Sequence, residues 1–186
     1  LMKTFNYLVL IFICIISSVK ADSKHNIISE LKKGGKLIFI RHAYAPGGGD
    51  PENFDIDNCA TQRNLNESGI IQSKKIGDFF KKNNIPLGKV FSSEWCRCKD
   101  TASIAFNYYE TKNFLNSFFS KKFAKNRKNQ VKDFYEFIEE QSTNQNLIFV
   151  THYVVISEIL NYTPSSGEIV VSDKHFKVID TLEIEY

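Results

Sequence analysis

Short apolar runs alternate with longer amphipathic segments after residue 22. Four runs cover residues 36–40, 89–91, 147–150 and 168–171. The apolar residues of the runs at 36–40, which begins with Lys36, and at 147–150 are continuous rather than alternating, which is typical of strands buried on both faces of a parallel sheet. A fifth run, 181–186, alternates apolar with polar positions, so we expect an edge strand with one solvent-exposed face.

Helical periodicity occupies the segments between these runs. Over residues 68–82 the apolar side chains share one broad face, and Asn66 or Ser68 is suited to cap that helix. The side chains of this face are Ile70, Ile71, Ile76, Phe79 and Phe80. Further helices are expected at 100–108, 130–141 and 152–160. This alternation predicts an α/β fold with a mostly parallel central sheet covered by helices on both faces, a three-layer sandwich.

The first 21 residues differ from the rest of the chain. Lys3 precedes a nearly uninterrupted apolar run over residues 7–18, and Val19-Lys20-Ala21 matches a small-x-small cleavage site. We therefore expect a signal peptide at 1–21 and a mature domain at 22–186 that is periplasmic or secreted, with no stable membrane span after cleavage. An uncleaved membrane anchor is the alternative, although the apolar run is short for a bilayer.

Composition indicates a globular domain. The 186 residues are 42% hydrophobic and 13% aromatic, which suffices for one core. Residues 1–21 contain two lysines and no acidic residue, so their removal lowers the formal net charge from +3 to +1. A nearly neutral domain has no general attraction for nucleic acid. The basic run at 121–128 is a local exception, which we interpret as a solvent-exposed face.

Charged and polar residues stand where three predicted strands end. Arg41 and His42 follow the first run directly, His152 follows the third, and Arg97 comes shortly after the second. Because the carboxyl ends of parallel strands meet at one edge of a sheet, we expect these side chains to gather there. Two guanidinium groups and two imidazoles suit a phosphate dianion, and a neutral imidazole can attack phosphorus to form a covalent intermediate.

Four short motifs, in order along the chain, carry a resemblance to a known family. They are Arg41-His42-Ala43, Arg63 to Gly69, Ser92-Ser93 with Arg97 and Thr101-Ala102, and Val150-Thr151-His152. At these motifs the sequence resembles the histidine phosphatase (phosphoglycerate-mutase-like) superfamily. The resemblance extends over residues 36–172, and the shared order of the four motifs makes it more specific than any one of them.

The resemblance implies a role for each matched residue. His42 is expected to be the nucleophile that becomes phosphohistidine, with Arg41 and Arg97 as the phosphate clamp and His152 as the second imidazole. Such a site works by positioning and charge stabilisation, so we expect neither a metal nor a cofactor. Candidates for additional substrate binding are Arg63 and Ser92.

One segment departs from the superfamily pattern. Many members supply a general acid from a Leu-Asn-Glu segment, and this chain has Leu115-Asn116-Ser117. A positioned acid is worth about 10²–10⁴ in rate. Three interpretations stay open: another carboxylate substitutes, the substrate has a leaving group that needs no acid, or the enzyme is slow. The candidate carboxylates are Glu94, Asp50 and Glu52.

Three cysteines remain after residue 21: Cys59, Cys96 and Cys98. In an oxidising compartment we expect Cys59 to pair with Cys96 or with Cys98, because those two are too close together for an easy bridge. The Cys96-Arg97-Cys98 segment also prompts the hypothesis of a cysteine-based redox or metal protein. No histidine stands at ligand spacing near it, which disfavours a metal site.

The leading hypothesis is a phosphatase that hydrolyses phosphomonoesters or phosphoramidates through a phosphohistidine on His42. The sequence contains no insertion of the size that mutases or phytases use to bind large substrates, which favours simple hydrolysis. The expected partner is a phosphorylated small molecule or envelope component, and not nucleic acid. The alternative is a non-catalytic phosphate- or anion-binding protein on the same fold, prompted by Ser117. The oligomeric state stays open.

Overall fold

The computed structural model describes residues 26–142 and 144–186. The expected signal peptide and its cleavage site lie outside the described residues. Within those two ranges, none of the helices combines the length and the hydrophobicity that a bilayer span requires.

A six-stranded sheet lies at the centre of the molecule. Its strands are β1 (Leu37–Arg41), β2 (Val90–Ser92), β3 (Glu110–Thr111), β4 (Leu147–Thr151), β5 (Ile169–Ser172) and β6 (Val178–Leu182). They lie in the order β3-β2-β4-β1-β5-β6. The first four in that order pair in parallel, and β5 is antiparallel to both of its neighbours. The mostly parallel sheet predicted from the apolar runs is confirmed.

Helices cover both faces of the sheet. They are α1 (residues 26–32), α2 (Glu67–Lys82), α3 (Cys96–Phe106), α4 (Arg127–Glu139) and α5 (Tyr153–Leu160). The first three pack on one face, which includes Ile38 and Ile148, and the last two pack on the other, which includes Phe39 and Phe149. Because both faces are covered, β1 and β4 need apolar side chains at successive positions. The three-layer α/β sandwich is confirmed.

The chain end differs from the predicted edge strand. Strand β6 does lie at the sheet edge, but it spans 178–182, all of its residues are half-buried, and residues 183–186 leave the sheet. The carbonyl of Ile184 accepts a hydrogen bond from Gln72, and the ring of Tyr186 stacks on Tyr44 at a centroid distance of 4.4 Å. The last residues therefore bind α2 and the segment after β1 instead of a strand.

The cap of helix α2 agrees with the sequence pattern, but two residues of its predicted apolar face are exposed. The side chain of Asn66 caps the helix by accepting from the amide of Gly69 at 3.0 Å, as one of the two expected caps. Ile70 and Ile71 are 39% and 43% exposed, so their assignment to the buried face was wrong. Gln72 occupies that face instead, because its amide group binds backbone atoms of three other segments.

Two other helices begin earlier than the periodicity predicts. Helix α3 begins at Cys96 rather than at residue 100, and α4 begins at Arg127 rather than at residue 130. Neither has a side-chain hydrogen bond at its N-cap. The N-cap of α3 is Trp95, which is not a capping residue, and Asn126 at the N-cap of α4 is a favoured type that does not cap the helix. The earlier start of α3 matters for function because it places Arg97 in the first turn of a helix.

Gly69 allows α2 to approach the segment after β1. A Cβ at this position would lie 2.0 Å from the carbonyl oxygen of Tyr44. Gly69→Ala should therefore push the helix away and lower the free energy of unfolding by about 1–3 kcal/mol, as measured by urea unfolding. Gly48→Ala is the control, since nothing lies within 4 Å of a Cβ there. Equal losses in the two variants would contradict this account.

Candidate active site

Three residues at the candidate site share one position relative to the sheet. His42, Ser93 and His152 are each the first residue after a parallel strand. The amide of His42 donates to the carbonyl of Thr151 at 2.9 Å, and the amide of Ser93 donates to the carbonyl of Val150 at 2.9 Å. The hydrogen-bond ladder of the sheet thus continues to these residues and fixes where their side chains begin.

The hydrogen bonds of His42 determine its tautomer. Its Nδ1 lies 2.8 Å from the carbonyl oxygen of Ala43, which can only accept, so Nδ1 carries the proton. Its Nε2 receives a hydrogen bond from Nε of Arg97 at 3.2 Å, so Nε2 holds the lone pair. The amide of Ala43 donates in turn to the hydroxyl of Thr101, which fixes the backbone beside the ring. His42 therefore holds a nucleophilic nitrogen toward Arg97.

His152 has the opposite tautomer. Nη2 of Arg97 donates to its Nδ1 at 3.4 Å, so the proton is on Nε2, which lies 3.0 Å from the hydroxyl of Ser93. That hydroxyl donates to Asn116 at 3.0 Å, and the amide nitrogen of Asn116 donates to Glu94. This chain of polar groups orients the second imidazole, whose ring centroid lies 5.4 Å from that of His42.

Both imidazoles are buried and neutral. His42 and His152 are each 2% exposed. Burial lowers the pKa of both histidines well below its usual range, and the positive charge of Arg97 lowers it further. A neutral imidazole keeps the lone pair that attack on phosphorus requires.

Two further guanidinium groups face the same cavity, and the Nε–H group of each lacks an acceptor. The Nε atoms of Arg41 and Arg63 are buried and find no hydrogen-bond acceptor among the described residues. Arg41 donates to the carbonyl of Pro164 at 2.9 Å, and Arg63 donates to the carbonyl of Ala45. Burial and the nearby charge of Arg97 lower the pKa of both groups. An anion among the three guanidinium groups would satisfy the free donors and offset the charge.

These groups line one cavity of about 590 Å³. Its polar lining includes Arg41, His42, Arg63, Arg97 and His152. Its aromatic lining is Tyr44, Phe54, Trp95, Phe119, Phe123 and Tyr153. Lys121 and Lys122 also line it, from the exposed positions that were expected for the basic run. The structure thus gathers the four residues that the motifs single out, together with Arg63, around a pocket larger than one phosphoryl group.

Comparison with known proteins identifies the fold. No protein-family model matches the chain, and no curated protein matches its sequence significantly. A phosphoglycerate mutase from Thermus thermophilus is 14% identical with a TM-score of 0.56, over 81% of this chain and 99% of that one. The protein histidine phosphatase SixA, solved with tungstate, is 13% identical with a TM-score of 0.55, over 81% and 96%. The chain has the fold of the histidine phosphatase superfamily. At these identities the likeness is one of fold.

The candidate acids have different places in this histidine phosphatase fold. Asp50 lines the cavity but forms a salt bridge with Arg97, with 2.7 Å between Oδ1 and Nη1. Burial raises the pKa of Asp50, but its hydrogen bonds with Arg97 and the charge of Arg97 outweigh burial, so the pKa is lowered. Glu94 binds Asn116 and lines a neighbouring pocket, so it is not in the cavity. Glu52 lines the cavity from an exposed position, and Ser117 lines it as well.

Ser92 was the wrong choice for substrate binding. It is the last residue of β2, is fully buried, and its hydroxyl donates to the carbonyl of Ser93 at 2.9 Å. The neighbouring residue, Ser93, is the serine whose hydroxyl contacts His152. The signal was present in the sequence, because Ser93 follows its strand as directly as His42 and His152 follow theirs.

The structure pairs Cys59 with Cys96 in a disulfide, with 5.7 Å between the Cα atoms. This is one of the two pairings that the sequence left open. Cys98 is bonded to no other described cysteine, and burial raises the pKa of its thiol to about 12. The Cys96-Arg97-Cys98 segment therefore has one thiol and not two. Among the described residues, no three His, Cys, Asp or Glu side chains cluster as metal ligands would.

Two neutral, buried histidines make stability depend on pH. In the unfolded chain a histidine titrates near its ordinary pKa of about 6.5. Below that pH the unfolded chain binds protons that the folded one does not, so the free energy of unfolding should fall by up to about 1.4 kcal/mol per pH unit for each histidine. Urea unfolding between pH 7.5 and 5.5 tests this. His42→Asn should have a shallower slope, and identical slopes would contradict the assignment.

Proposed function

We propose that this chain is a phosphatase that transfers a phosphoryl group from a phosphomonoester or phosphoramidate to Nε2 of His42 and then to water. The observation that carries the proposal is the tautomer of His42, whose nucleophilic nitrogen lies beside Arg97 in the lining of the cavity. The SixA structure, which was solved with tungstate, supports the proposal, since that oxyanion resembles a phosphoryl group in shape and charge.

The proposed reaction has two steps. In the first, Nε2 of His42 bonds to phosphorus as the bond to the leaving group breaks, while Arg41, Arg63 and Arg97 bind the phosphoryl oxygens. We propose that the negative charge of the bound phosphoryl group favours a proton on Nδ1 of His152, which then donates to a phosphoryl oxygen. In the second, water attacks phospho-His42 and releases phosphate. Three guanidinium groups supply the positive charge, so we propose a metal-independent reaction.

We also propose that the protein acts outside the cytoplasm, on a phosphorylated small molecule or a component of the envelope. The disulfide between Cys59 and Cys96 supports this location, since such bonds persist in oxidising compartments. The apolar segment at 7–18, followed by a small-x-small site, supports export. A cavity of about 590 Å³ with an aromatic lining suits a substrate that carries an organic group beside its phosphate.

Ser117 favours a second candidate function. It lines the cavity where superfamily members with a general acid have a glutamate. A chain without that acid could bind phosphate or another anion without turnover. This alternative requires phosphate binding that depends on Arg41 and Arg97, together with no hydrolysis of any phosphoester or phosphoramidate.

Trapping the covalent intermediate tests the leading proposal. Rapid denaturation during turnover of 4-nitrophenyl phosphate should leave acid-labile phosphate on His42, located by mass spectrometry. His42→Ala should abolish both the label and the activity, because it removes the nitrogen to which the proposal assigns the attack on phosphorus. The exposed His175 provides the control variant, His175→Ala, which should keep full activity. Full activity of His42→Ala would refute the proposal.

The leaving group should control the rate. Asp50 is ionised and bound to Arg97, Glu94 lies outside the cavity, and Ser117 has no acidic proton. Without a positioned acid, kcat/KM for phenyl phosphate should be about 100-fold or more below that for 4-nitrophenyl phosphate. Glu52→Gln should leave this ratio unchanged. If the two substrates have nearly equal kcat/KM in the wild type, an acid is present. A larger difference between the two substrates in Glu52→Gln than in the wild type would show that Glu52 is that acid.

A further inference from the structure

Every N–H of the Arg97 guanidinium has an acceptor within the protein. Nε donates to Nε2 of His42 at 3.2 Å. Nη1 donates to Oδ1 of Asp50 at 2.7 Å and to the carbonyl of Arg63 at 3.2 Å. Nη2 donates to Oδ2 of Asp50 at 3.2 Å and to Nδ1 of His152 at 3.4 Å. Five donors meet five acceptors, so the orientation of the group is fixed.

The two edges of this guanidinium have different partners. Along the inner edge, Nε and Nη2 reach the two imidazoles of His42 and His152. A phosphoryl group bound between the histidines would meet this edge. Along the outer edge, Nη1 and Nη2 form a bidentate pair with Asp50, which matches the geometry of a carboxylate. The outer edge is thus occupied by protein, and the inner edge faces the reacting groups.

Asp50 is itself held in place by two more donors. Its Oδ1 accepts from the amide of Arg63 at 3.1 Å, and its Oδ2 accepts from the indole Nε1 of Trp95 at 3.0 Å. Both carboxylate oxygens therefore have two donors each. A carboxylate so stabilised keeps its negative charge and has no proton to give to a leaving group.

The glycine-rich segment brings Asp50 to this position. Gly47 and Gly49 have φ values of +92° and +80°, which residues with a side chain rarely adopt. Trp95, whose indole donates to the carboxylate, stacks on Phe54 with ring centroids 4.9 Å apart. The carboxylate therefore rests between a sharp turn and a packed aromatic pair.

We infer that Asp50 is a positioning residue, which holds the outer edge of Arg97 so that the inner edge faces the phosphoryl group between His42 and His152. The inference rests on the proposed function, because it places the phosphoryl group at that inner edge. Two rival roles make different predictions. A carboxylate that competes with phosphate would weaken phosphate binding, and a general acid would act independently of Arg97.

A double-mutant cycle separates these roles. Asp50→Asn should lower the affinity for inorganic phosphate, and kcat/KM for 4-nitrophenyl phosphate, by roughly 10- to 100-fold, because a misaligned clamp binds poorly. In an Arg97→Ala background the same substitution should change phosphate affinity by less than about twofold, since Asp50 acts through Arg97. Calorimetry measures binding without turnover. Thermal unfolding of each variant verifies that it is folded.

The outcomes are distinct. Tighter phosphate binding by Asp50→Asn, or an equal loss in both backgrounds, overturns the positioning role. If phosphate binding shows the expected coupling between Asp50 and Arg97 but no ester is hydrolysed, the proposed phosphatase activity is refuted and the positioning role of Asp50 stands. A wild-type protein that does not bind phosphate overturns both.

Trp95 provides a second variant. Its indole Nε1 donates to Oδ2 of Asp50, and Trp95→Phe removes that donor while it keeps an aromatic ring beside Phe54. Trp95→Phe should weaken phosphate binding several-fold, and unchanged affinity would count against the inference. The exposed Asp57 gives the matched control, Asp57→Asn, which should behave as wild type.

Discussion

A buried guanidinium group must find acceptors for all of its N–H groups, and this requirement organises the candidate site. Arg97 is 3% exposed, and a charge that deep is tolerated only when it is paired and hydrogen-bonded. Its acceptors come from the ends of β1 and β4, from the glycine-rich segment and from the segment that precedes α2. One cation thus joins four separate parts of the chain into a single pocket.

The same cation makes the imidazoles chemically useful. Its charge and the surrounding burial keep His42 and His152 neutral, and its N–H groups point at the lone pair of each ring. The backbone carbonyl beside His42 and the hydroxyl of Ser93 then fix opposite tautomers on the two rings. One imidazole is thereby suited to attack phosphorus, and the other to bind the transferring group once it is protonated.

The sequence predicted the architecture because the strands buried on both faces leave long apolar runs that end in charged residues. It located His42 and His152 for that reason. It chose Ser92 over Ser93 because the end of a strand is uncertain by one residue. Both serines are buried, but only Ser93, which follows the strand, contacts His152. The sequence did not indicate the hydrogen-bond partners of Arg97. Asp50 reaches the arginine through a glycine turn and an indole contact, and neither leaves a periodic pattern.

Charge balance connects Asp50 with the serine at position 117. In the less exposed part of the cavity Arg41, Arg63 and Arg97 bring three positive charges, and Asp50 offsets one of them. The charged side chains of Lys121, Lys122 and Glu52 line the cavity from exposed positions, where solvent and salt screen them. The remaining two charges of the three arginines match the charge of a phosphoryl dianion. A second ionised carboxylate in direct reach of the phosphoryl group would leave that dianion short of compensation in a poorly solvated site. In the proposed reaction a neutral Ser117 is therefore consistent with a clamp in which Asp50 is already paired with Arg97, and the leaving group departs without help from a carboxylic acid.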